Sequence, residues 1–137
     1  MNNSENSTHS IGQHGEDVAC NYLRSLGYTI VCRNYRCEHG ETDIIALDGR
    51  IYAFVEVKMR TESAMQNLYG RPLRAVNAAK KRRLLGSAKQ YIFENKLYGQ
   101  PARIDILEIY RQTQNGLEKF RINYIKNAVR DEAPHRN

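Results

Sequence analysis

Tryptophan is absent from the 137-residue sequence, and cysteine and proline occur only three times each. The cysteines, Cys20, Cys32 and Cys37, are odd in number and form no Cys-x-x-Cys pair. This argues against a disulfide framework and against a structural zinc site. No run of 18 apolar residues suggests a membrane span, and residues 1–10 lack the apolar stretch of a signal peptide. We therefore expect a cytoplasmic protein with no membrane partner.

The chain does contain enough apolar sequence for one hydrophobic core, together with an excess of positive charge. Hydrophobic residues make up 41% of the chain, and the formal net charge is +6. A chain of this length forms one domain, and its positive charge favours an anionic partner such as nucleic acid. We divide it into a disordered tail over residues 1–10, a folded domain over residues 11–129 and a C-terminal tail over residues 130–137.

Hydrophobic periodicity and turn residues predict the element order α-β-β-β-α-β-β. Ser10 opens a capping box, and Gly27 is a natural helix stop. A polar connection over residues 61–72 contains Gly70 and Pro72. Such an order predicts an α/β fold, a mixed β-sheet flanked by helices. The predicted helices cover residues 10–27 and 77–95, and the strands outside the central hairpin cover residues 28–33, 102–110 and 117–123, with a loop over residues 34–40.

The central hairpin is indicated by Asp48-Gly49, a strong turn signal between two apolar, β-rich segments. If these two residues form the turn, Leu47 pairs with Arg50. The register that follows places Asp43 opposite Phe54.

Four charged residues then project from one face of this hairpin. They are Glu41, Asp43, Glu56 and Lys58, because alternate residues of a strand share a face and directly opposed residues share it too. In this register Asp43 and Glu56 are diagonal neighbours, roughly 7–8 Å apart at the backbone and within reach of a shared ion.

Three carboxylates at close range repel one another, and buried carboxylates need a partner or a metal. Magnesium would relieve the repulsion because it prefers oxygen ligands. Lys58 could then stabilise charge that develops on a phosphate, or orient an attacking water. The alternative is a solvated strand face with an ordinary Glu–Lys pair. The apolar run over residues 53–57 favours the site, since it is typical of a central strand.

Two segments carry a resemblance to a known superfamily. Gly40–Ala46 reads Gly-Glu-Thr-Asp-Ile-Ile-Ala, and Phe54–Arg60 reads Phe-Val-Glu-Val-Lys-Met-Arg. Together they resemble the core of the PD-(D/E)XK nucleases. The chain resembles most closely the bacterial YraN-type family, an uncharacterised group similar to archaeal Holliday-junction resolvases. Thr42 stands where the superfamily name expects proline, which the chemistry does not require. Further matching stretches are Gly12–Glu16, Leu26–Tyr28, Arg33–Arg36, Gly70, Lys80, Arg103–Asp105 and Asn127–Ala128.

The resemblance implies a restriction-endonuclease-like fold and a site that binds Mg²⁺, with Mn²⁺ as the other candidate. In the related resolvases a helix-borne acid joins the strand acids, and Glu16, which follows Gly15, matches that position. Junction cleavage needs two sites, so the analogy also implies a homodimer. The implied metal-binding residues are Asp43, Glu56, Glu16 and the backbone carbonyl of Val57, and the implied catalytic set is Asp43, Glu56, Lys58, Glu16 and Glu41.

Basic residues supply a predicted nucleic-acid surface. The run Lys80–Arg83 lies near the start of the second predicted helix, where the helix dipole disfavours cations. Binding of phosphates would explain it, and a solvated, solubilising patch is the alternative. The predicted nucleic-acid-binding residues are Arg33, Arg36, Arg60, Lys80, Lys81, Arg82 and Arg83.

We hypothesise a magnesium-dependent endonuclease that acts on branched or otherwise structured DNA, with RNA as the less favoured alternative. Nothing in the sequence indicates readout of base edges, so we expect low sequence specificity. One alternative is a nucleic-acid-binding module with a vestigial nuclease site. Another is an adaptor whose partner is a protein, which would present an exposed apolar patch.

Overall fold

The computed structural model of the chain describes residues 3–61 and 77–131, with side chains described for residues 14–60 and 77–131. Most of the predicted connection over residues 61–72, including Gly70 and Pro72, lies outside the described residues. The predicted element order and α/β class are confirmed. The elements are α1 (Asn3–Ser25), β1 (Thr29–Cys37), β2 (Gly40–Asp48), β3 (Ile51–Thr61), α2 (Ala78–Glu94), β4 (Ala102–Gln114) and β5 (Leu117–Val129).

The five strands form one mixed sheet in the order β1-β2-β3-β4-β5. Neighbouring strands are antiparallel except β3 and β4, which run parallel. A parallel pair needs a crossover connection, and the chain between β3 and β4 contains α2. In the described part of the chain, neither helix is long and apolar enough to cross a membrane.

The two helices cover opposite faces of the sheet. Leu23 of α1 belongs to the same buried cluster as Val55 of β3, and Leu84 of α2 belongs to the same cluster as Phe54. Because Phe54 and Val55 are adjacent, β3 alternates between the two layers. Glu56 therefore lies on the α2 face, immediately beyond the core that Phe54 forms.

The predicted hairpin exists, but its turn was placed one residue too early. Asp48 pairs with Ile51, so Gly49 and Arg50 form the turn. Gly49 has a φ of 60°, which suits the first central position of a type II′ turn. Asp48 remains in the strand, where its carboxylate accepts a hydrogen bond from Arg103 at 2.9 Å. Both turns contain two residues, so the correct register differs by two positions and preserves the faces of both strands.

Other boundaries differ where polar residues hid a continuing element. β1 runs to Cys37, through residues predicted to be a loop, because it pairs with β2 as far as Gly40. Asn34 adopts a φ of 55° within that strand, a conformation that asparagine tolerates well. α1 begins at Asn3 rather than at Ser10. The predicted turn at Asn115-Gly116 is confirmed, and it joins strands of 13 residues each, longer than predicted.

Candidate functional site

The candidate site lies where β2 and β3 stop pairing. Their last backbone pair in the direction of the site is Ile44 with Val55. One residue further, the Oδ2 atom of Asp43 accepts a hydrogen bond from the backbone N–H of Val57 at 2.8 Å. The carboxylate thus satisfies a backbone donor beyond the paired part of the hairpin.

The carboxyl group of Asp43 lies next to that of Glu56, as the sequence predicts. Burial, and then the neighbouring negative charge of Glu56, raises the pKa of Asp43 to about 7. The hydrogen bond from Val57 acts in the opposite direction, and the more distant charge of Glu16 adds to the increase. Two acids in one low-dielectric space resist simultaneous ionisation unless a cation joins them.

Glu56 is buried, and its two oxygens have different surroundings. Oε1 forms an ion pair with the ammonium group of Lys80 at 2.8 Å. Oε2 is buried and accepts no hydrogen bond from a described residue while Asp43 is ionised, whereas a protonated Asp43 can donate one to the Glu56 carboxylate. A buried polar atom without a partner is rare in folded proteins. A hard cation, which takes carboxylate oxygens as ligands, fits this oxygen beside Asp43.

The carboxylates of Asp43 and Glu56 are the described donor set of the site. Within residues 14–60 and 77–131, no three His, Cys, Asp or Glu side chains come close enough together to hold a metal ion. The roles predicted for the backbone of Val57, for Glu16 and for Glu41 as further ligands therefore stay predictions.

Glu16 reaches the neighbourhood through a close approach of α1 to the sheet. A Cβ atom on the preceding Gly15 would lie 2.7 Å from the sulfur of Met59, so glycine permits this contact. The Glu16 carboxylate accepts a hydrogen bond from Asn34 at 3.1 Å and pairs with Arg33 at 3.4 Å. It influences Asp43 through charge, while its own partners are on β1.

Glu41 lies apart from the pair, in looser ion pairs near the surface. It is 3.9 Å from Arg36 and 3.8 Å from Arg83. Its side chain is 38% exposed, whereas that of Glu56 is 6% exposed. Two arginines therefore balance the charge of Glu41 in a partly solvated environment.

Lys58 lies two residues beyond Glu56 and projects from the same face of β3 by strand alternation. Its side chain is half-buried, and it forms no ion pair with any described residue. An ammonium group in this position is available for a phosphate or a water molecule.

Lys80 reaches Glu56 because of the way α2 begins. The side chain of Asn77 caps the helix by accepting a hydrogen bond from the backbone N–H of Lys80 at 2.9 Å. Further along the helix, a buried hydrogen bond of 2.7 Å joins the hydroxyls of Ser87 and Thr42. It ties α2 to β2 beside Asp43. The sequence reasoning assigned Lys80 to phosphate binding and missed this contact.

The other predicted nucleic-acid-binding residues fall into two groups. Arg60 pairs with Glu108 at 2.8 Å and is largely covered, and Arg33 pairs with Asp17 at 2.9 Å. Arg36, Lys81, Arg82 and Arg83 are exposed. Arg33 is exposed as well, although it is held by its carboxylate partner, so Arg60 is the member of the predicted set that the fold covers on the strand side.

The raised pKa of Asp43 predicts a dependence of stability on pH. Its ordinary value is 3.8, so between about pH 4 and 7 the folded protein holds a proton that the unfolded chain has released. The free energy of unfolding should therefore fall as the pH rises through this window. In Asp43→Asn this contribution is absent. We expect the difference in the free energy of unfolding, Asp43→Asn minus wild type, to increase by ~2–4 kcal/mol between pH 4 and 8. Urea unfolding in the presence of chelator measures this difference.

The matched control is Glu38→Gln, which neutralises an exposed carboxylate in the turn between β1 and β2. It should keep the pH dependence of wild type. Parallel pH profiles for wild type and Asp43→Asn would show that Asp43 titrates as an ordinary surface acid.

Comparison with known proteins gives matches over almost the whole chain. Residues 15–109 match the model of a family described as "Uncharacterised protein family UPF0102". A UPF0102 protein of Clostridium perfringens is 38% identical over 88% of this chain and 94% of its own length. One of Clostridioides difficile is 42% identical over 93% of this chain and 99% of its own. One of Clostridium tetani is 43% identical over 86% of this chain and 92% of its own.

Proposed function

We propose that this chain, which belongs to the uncharacterised protein family UPF0102, is a magnesium-dependent endonuclease that hydrolyses phosphodiester bonds in DNA. The observation that carries the proposal is the pair of half-buried Asp43 and buried Glu56, in which the pKa of Asp43 is raised to about 7 and one oxygen of Glu56 has no described hydrogen-bond partner. The proposal places the protein in the cytoplasm, where its DNA substrate would be, and includes a homodimer for branched substrates that need two cuts.

The side chains present suit magnesium or manganese better than a softer metal. Their donors are carboxylate oxygens, which hard divalent ions prefer. Asp43 and Glu56 would hold the ion, with the backbone carbonyl of Val57 as a third oxygen. When bound, the ion would supply a more acidic water and neutralise charge on the phosphate.

The remaining steps belong to the side chains of the chain itself. Lys58 would place its ammonium group against a non-bridging phosphate oxygen or the attacking water, because it shares the face of Glu56 and has no described ion-pair partner. Negative charge that develops in the transition state is stabilised most by such a pre-positioned cation. Lys81 and Arg82, both exposed, would hold the sugar–phosphate backbone without regard to sequence.

A nucleic-acid-binding module with a vestigial site is the second candidate, and one observation favours it. Lys80 already neutralises Glu56, so the pair is less dependent on a metal than two bare carboxylates would be. Such a module would bind DNA through the same exposed cations and release it uncut.

A cleavage panel separates the two candidates. Wild-type protein is incubated with four-way junction, flap, single-stranded and duplex DNA of one sequence set, each with Mg²⁺, Mn²⁺ or chelator. The proposed endonuclease cuts at least one structured substrate with a divalent ion and none in chelator. Binding to the panel without a cut under either ion would leave the vestigial module as the function.

A further inference from the structure

A second concave surface lies on the outer side of α2, away from the carboxylate pair. It has a volume of about 570 Å³, in the range of ligand-binding pockets. The groove is formed by α2, by the turn between β1 and β2, and by the segment that follows α2. A Cβ atom on Gly86 would lie 2.7 Å from the carbonyl oxygen of His39, so glycine brings the helix and the turn together here.

Two aromatic side chains stand exposed in this groove. Phe93 is 64% exposed and Tyr98 is 65% exposed. Their ring centroids are 6.4 Å apart with an interplanar angle of 81°. This edge-to-face arrangement leaves ring surface open to solvent beside an already organised pair. Exposed rings of this kind offer a flat surface on which a planar ligand can stack.

The same groove is lined by cations. Arg82 and Lys89 lie on the face of α2 that leads to Phe93, with His39 opposite. None of the described lining residues is acidic. Lys89 does pair with Asp131 at 3.0 Å, but both side chains are about half-exposed or more, and such surface pairs contribute little. A phosphate group can replace this partner.

We infer that this groove binds a short segment of single-stranded DNA. Unpaired bases stack on aromatic side chains whatever their identity, while cations beside the rings hold the phosphates. Arg82 and Phe93 are eleven residues apart on one helix, which spans ~16 Å. A duplex keeps its bases stacked inside the helix, so it could bind this groove only through its phosphates, which would contact the cations. A second copy of this chain docked by the same groove would bring the same cations to face these, so charge opposes self-association through this groove.

The start of α2 separates the groove from the candidate site. Lys80 contacts Glu56, and Arg82 lies two residues further along the same helix. Because these two residues lie on opposite sides of α2, a strand that leaves the carboxylate pair would pass around the start of the helix to reach the groove. The identity of the ligand as DNA rests on the proposed function, and the inference narrows the substrates to those with an unpaired arm next to the cut.

The test measures binding in chelator, so that cleavage plays no part. A fluorescent oligo(dT) of about 12 nucleotides and a duplex of equal length are titrated with wild type and four variants. Phe93→Ala and Tyr98→Ala should each weaken binding of the single strand by about tenfold and leave duplex binding unchanged. Phe93→Leu keeps an apolar side chain without a π-face and should behave like Phe93→Ala. Leu117→Ala is the matched control, because Leu117 is 66% exposed at the far turn of the sheet.

Three outcomes would overturn the inference. Equal affinities for wild type and both aromatic variants would remove the rings from DNA binding. An oligo(rU) that binds tighter than oligo(dT) would make RNA the ligand. Sedimentation that shows a wild-type dimer lost in Phe93→Ala but kept in Phe93→Leu, with DNA binding unchanged, would assign the groove to a second copy. If binding depends on the two rings but no substrate of the cleavage panel is cut, the single-strand groove is supported and only the proposed endonuclease activity is contradicted.

Discussion

Asp43→Asn should lower the rate of DNA cleavage by about three orders of magnitude, and Lys58→Ala should do nearly as much. Asparagine keeps the shape of Asp43 and still accepts the hydrogen bond from Val57, but it removes a charged oxygen from the carboxylate pair. Loss of a group that activates the nucleophile or stabilises developing charge costs about 10²–10⁴-fold. Single-turnover rates on the best substrate of the panel measure this effect without interference from product release.

Folding and metal binding are followed in the same variants. Mn²⁺ should raise the melting temperature of wild type and of Lys58→Ala, whose carboxylates are intact, but not that of Asp43→Asn. Glu38→Gln, purified identically, is the matched control and should cleave like wild type. Cleavage at the wild-type rate by Asp43→Asn would place the activity in another part of the chain or in a contaminating nuclease.

The sequence was sufficient for the fold and for the partnership of Asp43 with Glu56. Both depend on short-range information, namely helical or strand periodicity and the number of residues in one turn. The turn itself was misplaced because Asp48 looks like a turn residue, whereas its carboxylate is held in the strand by Arg103, which is 55 positions away. The misplaced turn did not change the predicted pairing of Asp43 with Glu56, because a register shift of two residues returns every side chain to the same face of the sheet.

Contacts between elements distant in sequence could not be predicted. Arg60 was assigned to DNA, but Glu108, on the parallel neighbour β4, takes it as an ion-pair partner. The run Lys80–Arg83 was treated as one phosphate-binding unit, although helix geometry sends successive residues about 100° apart. Lys80 turns inward to Glu56, while Arg82 turns outward to the groove. Only the packing of α2 on the sheet separates these roles.

Lys80→Met should destabilise the metal-free protein by about 3 kcal/mol at pH 8, because it leaves Glu56 buried without its counter-ion. Methionine keeps the length and apolar packing of the lysine side chain. Glu56→Gln in the same chain should recover most of the loss, since the uncompensated charge is then gone. Urea unfolding of wild type, both single variants and the double variant gives the coupling energy between the two side chains.

The matched control is Lys81→Met, which removes the neighbouring cation from an exposed position and should change stability by less than about 0.5 kcal/mol. Saturating Mn²⁺ should restore more stability to Lys80→Met than it adds to wild type, because the metal replaces the missing charge without displacing an ammonium group. If Lys80→Met costs no more than Lys81→Met, Glu56 does not depend on Lys80. If Mn²⁺ stabilises neither protein, the carboxylate pair is a structural ion-pair site and the vestigial module is the better account of the chain.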